Sequence, residues 1–293
     1  MSAPGPKVGM LGLGRIGRVV AANLQEKGFS VAAIDRPSSR DFGGTLHPTA
    51  AALAAASDVV ISALASEAQM EEAFLAPDGL VAGAREGLIV IEMGTFPVAL
   101  KRRLAAALAG RGGAMLDCPI SGTPPVVARR EAVLFVSGDP EVIRRAAPVL
   151  DGVSPKQSMV GAFGAGMATK LVANFLVVAH TLATAEAMAL GVGSGLDPAT
   201  LIDAIGPSFA GSPVFNFRAP MMASRTYQPA PGPARIMWKD LQYIREQSDA
   251  AGLEGPMLAT ALDCYRRLIA AGHGEDEGAS IYELLRKASP SRS

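Results

Sequence analysis

Lys7-Val8-Gly9-Met10-Leu11-Gly12-Leu13-Gly14-Arg15-Ile16-Gly17 decides the fold. A short apolar run leads into Gly-x-Gly-x-x-Gly at Gly12, Gly14 and Gly17. A helical pattern follows through Val19, Val20, Ala22, Asn23 and Leu24 and stops at Lys27-Gly28. A second apolar run, Ser30-Val31-Ala32-Ala33-Ile34, ends in Asp35. Strand, glycine turn, helix, strand and acid stand in the order of a βαβ unit that binds a dinucleotide. Gly12 permits the tight turn, Gly14 lets a pyrophosphate approach the backbone, and Gly17 lets the helix pack on the strand. The first N–H groups of the helix have no partners of their own and face the phosphates. Cofactor contacts are therefore expected at Gly12, Leu13, Gly14, Arg15, Ile16, Gly17, Asp35 and Arg36. An acid at position 35 accepts from the adenosine ribose hydroxyls and repels a 2′-phosphate, whereas Arg36, Ser38 and Ser39 would welcome one. Asp35 carries more weight, so NAD is the expected cofactor and NADP the alternative.

Outward from this stretch, apolar runs at 58–64, 87–92, 114–117 and 132–137 alternate with helical patterns such as 67–74 and 97–108. Such alternation argues for a parallel, doubly wound sheet. Strand signals stop near residue 161. Beyond it, segments 166–193, 198–205, 234–251 and 256–271 read as helices, with Pro198 and Pro256 at their first positions. Residues 206–233, rich in Pro, Gly and Ser, read as irregular turns. The expected architecture is an α/β Rossmann domain over 1–161 and an all-α domain over 162–293, joined by one long interdomain helix. The second domain is expected to serve substrate binding and oligomerisation.

The chain has 293 residues, enough for two domains, and 27 basic against 27 acidic side chains. A balance of zero leaves no electrostatic footprint for nucleic acid or an anionic membrane. Cys118 and Cys264 are too few for a disulfide framework. His47, His180 and His273 show no ligand spacing, so no metal is expected. The N-terminus lacks a basic-then-apolar leader, which places the expected enzyme in the cytoplasm. The apolar run 171–192 is long enough to look membrane-like, yet it carries Asn174, His180, Thr181, Thr184 and Glu186. It reads better as a helix buried against a domain or a second subunit, so a homodimer or homotetramer is expected.

Lys170 stands just after the glycine-rich stretch 161–166 and one helical turn before Asn174. Spacing of i to i+4 places both on one helix face. Burial on so apolar a helix would lower the pKa of a lysine and make it a usable proton donor or acceptor. A solvated lysine near a helix start is the other reading that these residues alone permit.

Four motifs, in order and spanning most of the chain, resemble the β-hydroxyacid dehydrogenase family, which includes 3-hydroxyisobutyrate dehydrogenases and tartronate semialdehyde reductases. They are Gly12-Leu13-Gly14-Arg15-Ile16-Gly17, Asp117-Cys118-Pro119-Ile120-Ser121-Gly122, Gly164-Ala165-Gly166-Met167-Ala168-Thr169-Lys170 with Asn174, and Lys239-Asp240-Leu241. The resemblance implies an NAD(P)-dependent dehydrogenase or reductase that interconverts a small 3-hydroxy acid and its semialdehyde or keto form. It implies Lys170 as general acid–base and Asn174 as a catalytic residue that also holds the substrate. It implies Ser121, Gly122 and Thr123 around the substrate carboxylate. Leu64, Ala65, Ser66 and Thr95 would line the nicotinamide riboside, and Lys239 would reach the cofactor from the helical domain.

Three positions depart from the family pattern. Thr123 replaces a second glycine and is followed by Pro124-Pro125. Arg129-Arg130-Glu131 replaces a small stretch, and its arginines are expected to face solvent rather than bind a second anionic group. Gly94 stands where a serine is common. Two rival functions remain: an imine reductase of the same fold, against which Lys170 counts, and a non-catalytic dinucleotide sensor, against which Lys170 and Asn174 both count.

Overall fold

The structure is a computed structural model and describes residues 5–34, 39 and 41–286. Strands β1 (Val8–Leu11), β2 (Val31–Ile34), β3 (Thr45–His47), β4 (Val59–Ser62), β5 (Ile89–Glu92) and β6 (Ala114–Asp117) run parallel in the order β3-β2-β1-β4-β5-β6. This is the strand order of a dinucleotide-binding sheet, with a crevice where the winding reverses between β1 and β4. The strands beyond β6 correct the all-parallel expectation. β7 (Ile120–Ser121) and β6 both pair antiparallel with β8 (Val133–Ser137), and β9 (Gln157–Gly161) pairs parallel with β8. The link 122–132 holds only the short helix α5 (Pro124–Ala128), too little for a parallel crossover, so the chain reverses instead.

The central strands are buried on both faces, which explains their nearly continuous apolar runs. Alternate residues go to opposite sides. Met10, Val31, Ile61 and Ile91 pack with Val20 and Leu24 of α1 (Gly17–Glu26) and with Val149 and Leu150 of α6 (Pro140–Val153). Leu11, Val60, Leu88 and Val90 pack on the other side, with Met70 and Phe74 of α3 (Glu67–Leu75) and Leu104 and Leu108 of α4 (Val98–Ala109). Helix α2 (Ala50–Ala56) joins this second layer through Ala50 and Ala54. Each such fully buried aliphatic side chain contributes about 1.5–3 kcal/mol.

The chain divides into two compact units, Met1–Lys170 and Leu171–Ser293. Helix α7 (Ala165–Gly193) runs from the end of the first into the second. It is long and apolar enough to cross a membrane by length and composition, and 44% of its most apolar window is buried in the protein. The second unit continues with α8 (Pro198–Ile205), α9 (Pro213–Ser224), α10 (Ala234–Ala250), α11 (Pro256–Ala270) and α12 (Tyr282–Leu285).

Helix α9 corrects the reading of 206–233 as irregular. The Ser212 hydroxyl accepts from Phe215 N at 3.0 Å, and Pro213 takes the first helical position, where its missing N–H costs nothing. Pro220 lies inside the helix and made the segment look broken. The helix is anchored by Arg218, which is buried. Its Nη2 donates to Glu277 Oε1 at 2.8 Å and its Nη1 to Thr181 Oγ1 at 2.5 Å.

Glu283 pins α12. It accepts from Arg225 at 3.0 Å, Tyr227 at 2.7 Å and Arg286 at 2.6 Å. Partial burial alone would raise its pKa, but these donors hold the carboxyl down at about 2 against an ordinary 4.5. A depressed carboxyl stabilises the fold above its unfolded pKa and loses that contribution as pH falls towards the folded value. Glu283→Gln should therefore melt below the parent at neutral pH, with the gap closing between pH 4.5 and about 2. Thermal unfolding followed by circular dichroism across that window measures it, and a gap independent of pH would contradict the assignment.

Candidate active site

The glycines of the first turn divide into two kinds. Gly12 has φ +106°, and a Cβ there would lie 2.6 Å from Ala63 O. At Gly17 a Cβ would lie 2.0 Å from Gly12 O, so the turn itself requires glycine at both positions. At Gly14 a Cβ would meet nothing within 4 Å. The protein's own packing does not require glycine at 14, and the open space there admits a ligand close to the backbone. No side chain caps the start of α1, where Arg18 N donates to Gly14 O at 3.1 Å, so no side chain of its own competes with an anion there. Leu13 and Ile16 turn their side chains into the core, so a role for them in binding runs through the backbone. Arg15 is exposed at the helix start.

A cavity of about 430 Å³ adjoins this turn, lined in part by Gly12, Gly14, Ile34, Thr49, Leu64 and Ala65. It lies at the carboxyl ends of β1 and β4, where ligands of such sheets sit. The loop 64–66 is held by a reciprocal pair: Ser66 Oγ accepts from Gln69 N at 3.2 Å, and Gln69 Oε1 accepts from Ala65 N at 3.2 Å. Thr95 follows β5 and is half-buried. The turn, the helix start without a side-chain cap and the cavity together fit a dinucleotide. Asp35 and Arg36 lie outside the described residues.

A second constellation was not singled out from the sequence. Lys101 of α4 is fully buried, with Nζ 2.5 Å from Glu92 Oε2, 2.7 Å from Asp117 Oδ1 and 2.8 Å from Gly94 O. Glu92 and Asp117 are also fully buried, at the carboxyl ends of β5 and β6. Burial pushes the Glu92 carboxyl up despite the neighbouring ammonium. Burial alone would lower the pKa of Lys101, but the two carboxylates raise it overall. The second Asp117 oxygen accepts from Met167 N at 2.8 Å. Ser137 Oγ accepts from Gly166 N at 2.9 Å and donates to Asp117 O at 2.9 Å. The start of α7 is thus fastened to the strand ends. Gly166 is what permits this, since a Cβ would lie 2.6 Å from Phe135 O and 2.7 Å from Asp117 O.

Lys170 stands in the second turn of that helix and is half-buried; Asn174, also half-buried, follows one turn later. Asn174 Nδ2 donates to Asp240 Oδ2 at 2.7 Å, and Lys239 Nζ lies 3.3 Å from Asp240 Oδ1 and 5.3 Å from the Tyr243 ring centroid. The late motif is therefore bound to Asn174 through its buried aspartate. Asp240 was visible in the Lys-Asp-Leu motif but carried no expected role.

Ser121 is half-buried at the end of β7, and a Cβ at Gly122 would lie 2.8 Å from Ala132 Cβ. Thr123 sits at the start of α5 without capping it through its side chain. Arg129 is exposed and pairs with Glu131 at 2.9 Å, while Arg130 donates to the Asp151 carbonyl. Neither guanidinium is held towards a second anionic group.

Comparison with known proteins agrees with this geometry. Residues 7–164 match the family model of the NAD binding domain of 6-phosphogluconate dehydrogenase. Residues 164–285 match that described as NAD-binding of NADP-dependent 3-hydroxyisobutyrate dehydrogenase. The chain is 32% identical to an L-threonate dehydrogenase of Cupriavidus necator, over 95% of each chain. It is also 32% identical to an NAD-dependent L-serine dehydrogenase of Pseudomonas aeruginosa, over 95% of this chain and 97% of that one. Among solved structures, 3-hydroxyisobutyrate dehydrogenase of Mycobacterium tuberculosis with L-serine superposes with a TM-score of 0.85 at 28% identity, covering 96% of this chain and 99% of that one. Imine reductases share the fold alone, at 18–22% identity.

The two kinds of glycine should respond differently. Gly17→Ala is expected to lose folding stability, by about 1–3 kcal/mol or more, because the new methyl meets backbone. Gly14→Ala should unfold at the parent urea midpoint yet bind NADH about tenfold or more weakly, by fluorescence titration, since its methyl enters the phosphate approach. Equal NADH affinity in Gly14→Ala and the parent would remove that reading.

Proposed function

The chain belongs to the β-hydroxyacid dehydrogenase family of NAD(P)-dependent oxidoreductases acting on CH–OH groups, and from that premise we propose how its residues divide the reaction. Lys170 is the general acid–base. The observation that carries this is the fastening of α7: its first turn is bonded to the carboxyl ends of β6 and β8, the sheet edge where ligands lie, and Lys170 follows in the next turn. The bound dinucleotide supplies the hydride acceptor. Neutral Lys170 takes the hydroxyl proton while the C–H electron pair leaves with its hydrogen as hydride; in reduction the ammonium returns that proton to the carbonyl oxygen. Asn174, steadied by Asp240, hydrogen-bonds the substrate. Ser121, Gly122 and Thr123 receive its carboxylate through hydroxyl and backbone N–H groups. Lys239 completes the cofactor contacts begun by residues 12–17, Asp35, Arg36, Leu64, Ala65, Ser66 and Thr95.

The substrate is a small hydroxy acid of the 3-hydroxyisobutyrate, L-serine or L-threonate kind, the compounds named for the relatives. NAD is preferred over NADP. Asp35 accepts from the adenosine ribose hydroxyls and repels a 2′-phosphate. The protein works in the cytoplasm as an oligomer of identical chains. Val172, Leu176, His180, Ala183, Ala187 and Leu190 form an exposed stripe at helical spacing along α7, suited to its own copy across a twofold axis.

Lys170→Ala should keep the melting temperature and NADH affinity of the parent and lose about 10²–10⁴ in kcat, the usual worth of positioned proton transfer. Turnover of 3-hydroxyisobutyrate, L-serine and L-threonate, followed by nicotinamide absorbance with NAD and NADP in parallel, measures this. Near-parental kcat in that variant, or a clear NADP preference in the parent, would refute the corresponding proposal. Sedimentation should give a multiple of the 30.1 kDa chain; a monomer would refute the assembly.

A further inference from the structure

Four buried side chains take no direct part in the roles above: Glu92, Lys101, Asp117 and Ser137. All are essentially inaccessible to solvent. Two carboxylates and one ammonium in such a place are costly, and replacing buried ion pairs by apolar residues is often neutral or stabilising. Stability is thus a weak reason for the cluster, and its connections suggest another. One Asp117 oxygen is held by Lys101 and the other by Met167 N at the start of α7. Ser137 bridges Asp117 O and Gly166 N. Two successive amides of the first helical turn are therefore set by one carboxylate and one hydroxyl. Lys101 in turn is held from a second side by Glu92 and by Gly94 O.

Lys170 lies three residues beyond Met167, on the same side of the helix. A helix transmits rotation or translation of its first turn to its second with little loss, because its hydrogen bonds run between those turns. We propose that Lys101 is a positioning residue for proton transfer at Lys170: it holds the Asp117 carboxylate in the orientation that captures Met167 N–H, and thereby fixes where the second turn of α7 delivers the catalytic amine. This rests on the reading of Lys170 as the acid–base. The cluster acts through the mount of α7.

Two variants test the proposal beside Lys170→Ala. Lys101→Met removes the ammonium at nearly constant shape but leaves two buried carboxylates. Glu92→Gln/Lys101→Met leaves one, which faces the N-terminus of α7, and is the safer fold. The assay uses whichever of 3-hydroxyisobutyrate, L-serine or L-threonate the parent turns over fastest. A 1 Å misplacement can cost about 10²-fold, so a kcat loss of about tenfold or more is expected in folded variants, with the Kd for NADH and the KM for NAD within about twofold of the parent. A purely structural role would lower the melting temperature and leave kcat per folded molecule unchanged. Parental kcat in either folded variant overturns the proposal. So does a kcat loss that moves in step with NADH affinity, and so does failure of both variants to fold. If Lys170→Ala itself keeps its turnover, it is the acid–base reading underneath that has failed.

Discussion

A single ammonium group, Lys101 Nζ, sits where three parts of the first unit meet. It joins the end of β5 through Glu92, the end of β6 through Asp117 and the loop after β5 through Gly94 O. None of these groups can find water, so each must find the others. That requirement sets how α4 lies against the sheet edge. Through the far oxygen of Asp117 it also sets where α7 begins. Burial raises the proton affinity of Glu92, while the paired carboxylates outweigh burial at Lys101 and keep it charged. A charged, buried knot permits far fewer arrangements than an apolar patch of equal volume, because a small slip leaves a buried charge unmatched.

The same economy of close approach runs through the glycines. Gly12, Gly17 and Gly166 each stand where a methyl would strike backbone oxygen. They let helices α1 and α7 begin hard against strand ends, and both helix starts lie at the carboxyl edge of the sheet. One has no side chain capping its start; the other spends its first amides on Asp117 and Ser137. The first arrangement suits a ligand anion, and the second gives a rigid mount for a side chain one turn further on. Gly14 is the exception, with empty space where its methyl would be.

Much of this was legible in the sequence. The Gly12–Gly17 spacing between two apolar runs fixes the βαβ unit, and the end of strand signals at 161 matches the last strand, β9. The motif at 164–170 was legible as a helix start. What escaped did so for physical reasons. β8 was read as a strand, but its direction depends on the short link 122–132, not on its own residues. Helix α9 was masked by Pro213 and Pro220, although Ser212-Pro213 is a helix-start signal when read as cap and first position. Lys101 stands beside Arg102 and Arg103, which gives it no mark of burial in the sequence. Its register was the available clue: it stands three and seven residues before Leu104 and Leu108, on the stripe that α4 buries. Asp117 and Asp240 fall within motifs, but a carboxylate's partner lies elsewhere along the chain, at Lys101 or Asn174, and spacing cannot disclose it.

Helix α7 shows how this fold treats polar groups on an apolar element. Thr169 donates to Ala165 O, Thr181 to Val177 O and Thr184 to His180 O, so the hydroxyls fold back onto the helix that carries them. Thr181 also accepts from Arg218, and Asn174 is bound by Asp240. These side chains are committed to partners that fix their orientation. A helix that merely needed to be buried would do so at lower cost with alanine or leucine at these positions. Asn174 with a buried aspartate behind it is held in one orientation, which is what the proposed contact with a hydroxy acid requires of its amide.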